Sequence, residues 1–360
     1  MKKGIEFSKT GERFAMSKAK DLALMTGLDK VYGCGALNWD IFFEVPSLDA
    51  LKNIPSVDFE VKPGGEVAVS REKFLKILSH LEKQDKRVFS CGGGSAANTI
   101  FALSHLGFKT GFIGVCGDDE FGKLVLEELS QAKVDLSLVG RHGETSLALI
   151  VLDAERDRFI IVSPGSAEAL FQEESFLKGA KERLLKEKTL LHLSSLASLE
   201  GQDFQKRLLF ELSPKEKIDH FVSFDPGQVY AQKGRNFLLD FLPYVDIFFA
   251  TEGELFEAGI KANEVLNHSV LALFLKRGKK GAKALTKEFV CSQDVILQEK
   301  VVDNTGAGDY FNAGVLAGLM LGKTLDKALY LGALLASLSL SDYGRRSILF
   351  INGQSLLKCE

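Results

Sequence analysis

Short apolar runs alternate with helical patterns along most of this chain, and that alternation is the strongest constraint on its fold. Val31–Leu37, Thr110–Val115, Thr189–Leu193, Phe221–Asp225, Val245–Phe249 and Val270–Leu275 read as strands. Helical spacing runs through Ser70–Lys83, Ala96–Leu106, Phe121–Gln131, Phe204–Leu212 and Gly253–Gly259, and two long apolar helices are expected over Asp309–Leu321 and Leu325–Ser341. Apolar strands separated by helices imply βαβ units, because parallel strands need a crossover and end up covered on both faces. The expected fold class is therefore α/β, with a mostly parallel sheet. One pair breaks the alternation. Ser146–Leu152 and Arg158–Val162, joined by Asp153–Asp157, read as a hairpin that forms a small separate sheet with residues 41–62.

Charge and cysteine usage narrow the function. The 360 residues carry a formal net charge of −3, which gives no basic field for nucleic acid or an anionic membrane. Residues 1–30 read as a polar leader without the apolar stretch of a signal peptide. Lys323, Asp326 and Lys327 interrupt the most apolar later segment, so it does not read as a membrane span. The five cysteines are scattered and never form a C-x-x-C pair, the pattern of a reduced, cytoplasmic protein. The expected partner is a small molecule, with neither nucleic acid nor membrane.

Three motifs carry chemistry. In Asp303–Gly314, Gly306, Ala307 and Gly308 stand where an apolar helix begins, so free N–H groups can receive phosphate oxygens. Asp309 follows in the first turn; it can take a proton from an attacking hydroxyl, or merely complement the helix dipole. In Cys91–Ala102, glycines lead into a helix carrying Asn98. Asn98 can present its amide to ligand hydroxyls, while the plainer reading makes Ser95 an N-cap. Thr251, Glu252 and Glu254 follow a strand's carboxyl end, where acids can hold Mg²⁺ through water or simply cap a helix. The G-x-x-x-x-G-K spacing of Gly117–Lys123 is rejected as a phosphate loop, because Leu124 occupies the hydroxyl position and three acids crowd the loop. Gly33 and Gly35 lack the third glycine of a dinucleotide fingerprint. The basic run Lys276–Lys283 is either a solvated hairpin tip or a phosphate contact.

Taken in order, these residues resemble the ribokinase-like, or PfkB, family of carbohydrate and nucleoside kinases. Gly92–Asn98 is similar to its first signature and Asp303–Gly314 to its second, and the likeness extends from about Val31 to Gly344. The resemblance implies a three-layer α/β/α core over residues 31–345, a β-sheet lid from about 41–62 and 146–163, and a C-terminal segment over 346–360. It implies ATP and Mg²⁺ as cofactors. Asp309 is implied as general base, with the backbone of Gly306, Ala307 and Gly308 as anion hole. Asp40, Gly93, Gly94 and Asn98 are implied to contact the substrate. Lys276, Gly278, Gly281 and Asn304 are implied at the nucleotide, and Glu252 and Glu254 at the metal. Three departures stand out: Thr251 replaces the usual Asn, Asn304 a common Thr, and Lys276-Arg277 the usual Thr-Leu.

The expected reaction is phosphorylation of a sugar hydroxymethyl group. The long insert between Asp40 and Gly92 resembles adenosine-kinase-like members, so a nucleoside acceptor stands as the alternative, with Trp39, Phe42 and Phe43 as candidate stacking rings. A catalytically quiet sugar or nucleotide sensor is the second alternative. An exposed lid edge would suit a homodimer.

Overall fold

Val31 to Cys34 are buried on both faces, as an inner strand of a parallel sheet must be. They belong to β1 (Lys30–Cys34) of a computed structural model that describes residues 21–84, 87–212, 220–351 and 353. The strands continue as β2 (Asn38–Glu44), β3 (Glu66–Ala68), β4 (Arg87–Gly93), β5 (Thr110–Cys116), β6 (Asp135–Arg141), β7 (Ser146–Leu152) and β8 (Arg158–Ser163). Then follow β9 (Thr189–Ser194), β10 (His220–Asp225), β11 (Ile247–Thr251), β12 (Ala272–Lys276), β13 (Ala282–Leu285) and β14 (Val290–Gln293). The helices are α1 (Arg71–Glu82), α2 (Ser95–His105), α3 (Glu120–Gln131), α4 (Glu174–Leu184), α5 (Leu199–Leu212), α6 (Gly227–Ala231) and α7 (Arg235–Leu239). They end with α8 (Glu252–Ala258), α9 (Ala262–Leu266), α10 (Ala307–Met320) and α11 (Leu325–Ser339).

Nine strands form one sheet in the order β14-β13-β12-β11-β10-β9-β1-β5-β6. The pairs from β12 through β6 are parallel, and β13 and β14 add an antiparallel edge. One apolar cluster lies against α2, α10 and α11, and a second lies against α4 to α9 on the opposite face. The expected mostly parallel α/β core is what forms. Some edges move: the strand expected from Val245 starts at Ile247, because a 3₁₀ turn over Leu242–Tyr244 leads into it. The helix expected from Phe204 starts at Leu199. The apolar pair α10 and α11 packs together inside the core, and among the described residues no helix is long and apolar enough to cross a membrane.

The second sheet has the order β3-β8-β7-β2-β4. The 146–163 hairpin supplies β7 and β8, but residues 41–62 contribute only the end of β2. The other members are β3 and β4, which lie beyond the expected boundary. Residues 45–62 instead cover the outer face of this sheet, where Phe59 stacks on Phe159 at 5.9 Å between ring centroids. Phe74, Ile77 and Leu81 of α1 bury themselves in the same apolar cluster. The outer face of this sheet is therefore covered by the chain's own insert, and β3 and β4 form its two edges. Within the expected leader, Met25 is fully buried, and the 3₁₀ turn Asp21–Gly27 packs on α10. Residues 1–20 of the leader, with 352 and 354–360 of the C-terminal segment, lie outside the described residues.

Candidate active site

The carboxyl ends of β9 to β12 and the inner face of the second sheet enclose a cavity of about 780 Å³, at the place where open α/β sheets take ligands. Its floor includes Ser195, Asp225, Thr251 and Lys276, and its roof includes Asn38, Asp40, Ile160 and Val162.

Asp309 lies in the first turn of α10. Its helix starts at Gly306, whose φ of +77° is a left-handed value that disfavours a side chain. The Ala307 N–H reaches back to Asn304 O at 3.4 Å, while the Gly306 and Gly308 N–H groups have no partner among the described residues. Two donors face the cavity at a helix start, the arrangement that receives an anion. The Asp309 carboxylate is held by neutral groups on α2. Ser95 Oγ donates to Oδ1 at 2.6 Å and Asn98 Nδ2 donates to Oδ2 at 2.9 Å. Burial pushes Asp309 up to about 6, against the pull of the Ser95 and Asn98 hydrogen bonds. Ser95 is thus not the N-cap: Gly94, at φ +101°, takes that position, and the Ser95 hydroxyl is committed to Asp309. Asn98 bridges Asp309 and Arg345, whose Nε donates to Asn98 Oδ1 at 2.9 Å, so any hydroxyl contact falls to its second amide hydrogen.

Asp40 roofs this end of the cavity. It is 7% exposed and its Oδ1 has no partner among the described residues; burial pushes it up to about 7, partly offset by Arg345. Asn38 Oδ1, two residues along the same face of β2, is likewise unpartnered. Gly94 lines the cavity, but Gly93 does not. A Cβ on Gly93 would lie 2.0 Å from Asp40 Oδ2, so its place in the site is to make room for that carboxylate.

Lys276 ends β12 beside the glycine turn, with Nζ 3.3 Å from where a Cβ on Gly308 would lie. It donates to Asp225 Oδ2 at 2.5 Å, and Asn312 Nδ2 donates to the same oxygen at 2.6 Å. Burial alone would raise Asp225, but the Lys276 charge and these hydrogen bonds outweigh it and hold the carboxyl below its ordinary value. Burial lowers Lys276 in turn, and Asp225 and Glu254 more than restore it. Gly278 and Gly281 line the same end of the cavity. Asn304 lines it too, yet its side chain is spent on the hairpin: it accepts from Arg158 Nη1 at 3.0 Å and donates to Arg156 O at 3.0 Å.

The two expected metal carboxylates part company. Glu254 lines the cavity, and one of its oxygens accepts from Thr251 N at 2.7 Å in a capping box. Glu252 points away to an exposed ion pair with Arg277 at 2.8 Å, since the first helical position turns it off the cavity wall. No group of three potential ligands clusters among the described residues, so a direct protein cage is not built here. A single carboxylate on the cavity wall fits Mg²⁺ held through water and phosphate.

Trp39 stacks on Phe121, and Phe42 and Phe43 are fully buried in packing, so none of these rings lines the cavity. The Gly117–Lys123 loop also lies elsewhere: Asp119 caps α3 and binds Thr145. Sequence reasoning missed Asp225, whose signal is an acid ending an apolar strand before Pro226-Gly227. It also missed Glu66 and Arg158 on the cavity roof, and Arg345, which has no motif to mark it.

Comparison with known proteins gives the family and the fold. The pfkB family carbohydrate kinase model matches residues 75–349. An uncharacterized sugar kinase of Archaeoglobus fulgidus is 32% identical over 259 residues, covering 68% of this chain and 96% of that protein. A Klebsiella pneumoniae fructokinase is 29% identical, covering 68% and 81%. In fold, the adenosine kinase of Sinorhizobium meliloti superposes with a TM-score of 0.75 at 17% identity, covering 91% of this chain and 97% of that one. The chain belongs to the pfkB family of carbohydrate kinases, an ATP-dependent kinase of sugars or nucleosides on a ribokinase-like fold.

Proposed function

We propose that this enzyme phosphorylates a hydroxymethyl group of a sugar, with Asp309 as general base. The observation that carries this reading is the Asp309 carboxylate, held by two neutral donors one turn from the free N–H groups of Gly306 and Gly308. A carboxyl near 6 is ionised at neutral pH yet basic enough to take a proton as the hydroxyl attacks. The Gly306 and Gly308 N–H groups and the Lys276 ammonium receive the charge of the transferred phosphoryl. Mg²⁺, held through water by Glu254, would neutralise the nucleotide phosphates. Closed over a bound substrate, the roof would exclude water and keep phosphoryl transfer from ending in hydrolysis.

The sugar reading rests on the other end. Asn38 Oδ1 and Asp40 Oδ1 are unpartnered acceptors, which match the hydroxyl donors of a polyol. The lining aromatic is Phe311, packed edge-on against Phe249 of the central sheet and therefore not a free plate for a base.

ADP release with ATP and Mg²⁺ tests this across ribose, fructose, other ketoses and aldoses, adenosine, guanosine, inosine and cytidine, with Asp309→Asn alongside. Turnover on a sugar, lost in the variant, is expected. Turnover on nucleosides alone would replace the substrate class and keep the base. Folded protein that binds ATP and turns over none of them would favour a sensor.

A further inference from the structure

An amide has a donor end and an acceptor end, so what Asn98 offers Asp309 depends on which way it faces. Reversed, it would aim a carbonyl oxygen at a carboxylate. Arg345 removes the choice. A guanidinium only donates, and its Nε meets Asn98 Oδ1 at 2.9 Å, which leaves Nδ2 for Asp309. Arg345 is itself fixed: it is 3% exposed, its Nη2 donates to Gly93 O at 3.1 Å, and it lies over the Phe101 ring at 5.3 Å. Its Nη1 also pairs with Glu128 of α3 at 3.3 Å. Both Glu128 oxygens accept from Gly92 N, at 3.1 and 3.0 Å.

We propose that Arg345 is a positioning residue for phosphoryl transfer: held by Glu128, it fixes the donor end of Asn98 on Asp309 and so aims the carboxylate at the acceptor hydroxyl. This rests on Asp309 being the base. Arg345 touches neither oxygen of Asp309, and it follows the last long helix, on a 3₁₀ turn (Gly344–Phe350). The charged groups that face Asp309 from other elements are Asp225 on β10, Lys276 on β12, Asp40 on β2 and Glu66 on β3. None of them binds Asn98, so none sets its orientation.

The test is the double variant Arg345→Met with Glu128→Gln, which removes this buried pair together, while Asp40 loses the charge that partly offsets its burial. The expected result is kcat lowered by about 10²-fold, the cost of a misaimed reacting group, with the KM for ATP unchanged. The acid limb of kcat/KM should move to higher pH, because Asp309 loses a donor that favours its ionised form. A folded double variant with wild-type kcat and acid limb overturns the proposal. If the double variant does not fold, Arg345→Lys decides, since it keeps a cation beside Glu128 but replaces the planar guanidinium that spans Glu128, Gly93 O and Asn98 Oδ1 at once: lowered kcat with the KM for ATP unchanged supports the proposal, and wild-type kcat and acid limb overturn it. Asp309→Asn runs beside both. Full activity there would sink the base itself, whereas an inactive Asp309→Asn beside a wild-type double variant would sink only the role of Arg345.

Discussion

Asp309 and Asp225 line one cavity, the first half-buried and the second buried, and the chain treats them in opposite ways. Asp309 is bound by a hydroxyl and an amide, which leave its proton affinity raised. Asp225 is bound by an ammonium, which holds its carboxyl down. A carboxylate that must accept a proton has to be held by donors that do not satisfy its charge. One that must anchor a lysine beside a phosphate site is better satisfied fully. The difference lies in which strand or helix faces each acid: neutral α2 on one side, the end of β12 on the other.

The hardest blow to this contrast is Asp309→Asn. The Ser95 hydroxyl can reverse to accept from the new amide, so the fold should hold while kcat falls by roughly 10²–10⁴-fold. Steady-state kinetics with a thermal melt checks both halves. Asp225→Asn should invert the pattern. It leaves Lys276 without its counter-charge, which costs about 3–5 kcal/mol, read from urea unfolding; a near-wild-type midpoint would mean that Glu254 alone satisfies the lysine.

The effect of pH separates the two acids further. With Asp309 near 6 in the free enzyme, kcat/KM should fall about tenfold per unit below that point. Stability carries the opposite sign. Asp309 binds its proton more tightly folded than unfolded, so its contribution is complete below its ordinary 3.8 and is lost as pH rises through about 6. Asp225 contributes above its ordinary value and fails as pH falls through its depressed one. The ligand-free Asp309→Asn variant should therefore melt above wild type at pH 8, with the gap closing by pH 4. The smallest effect belongs to Glu252→Ala. Its exposed pair with Arg277 is worth less than about 1 kcal/mol, and turnover should stay near wild type, whereas Glu254→Gln should raise the Mg²⁺ requirement.

The parts of this site that were readable in the sequence are those whose residue type is dictated locally. Gly306 needs a left-handed backbone and Asp309 follows it in the same turn, so four adjacent residues announced a site. The central strands were readable because burial on both faces forces an unbroken apolar run. The small sheet was readable from its hairpin, but β3 and β4 were not, since β3 is three residues long and β4 pairs with β2 across a long insert. The partners of Asp309 were also hidden. Ser95 passed for a cap because its true acceptor lies 214 positions away. Arg345 is one of two adjacent arginines whose roles differ only through burial: Arg345 is inside and Arg346 outside. Glu252 and Glu254 share one motif, and only the helix rotation between them decides which sees the cavity.

The roof over the cavity brings its own covering, because Phe59, Phe74, Ile77 and Leu81 pack on its outer face. Every residue named at the site comes from one chain. Initial velocity should consequently rise with acceptor concentration along a simple hyperbola, with a Hill coefficient of about 1, and any sigmoid behaviour in this enzyme would have to enter from the nucleotide side.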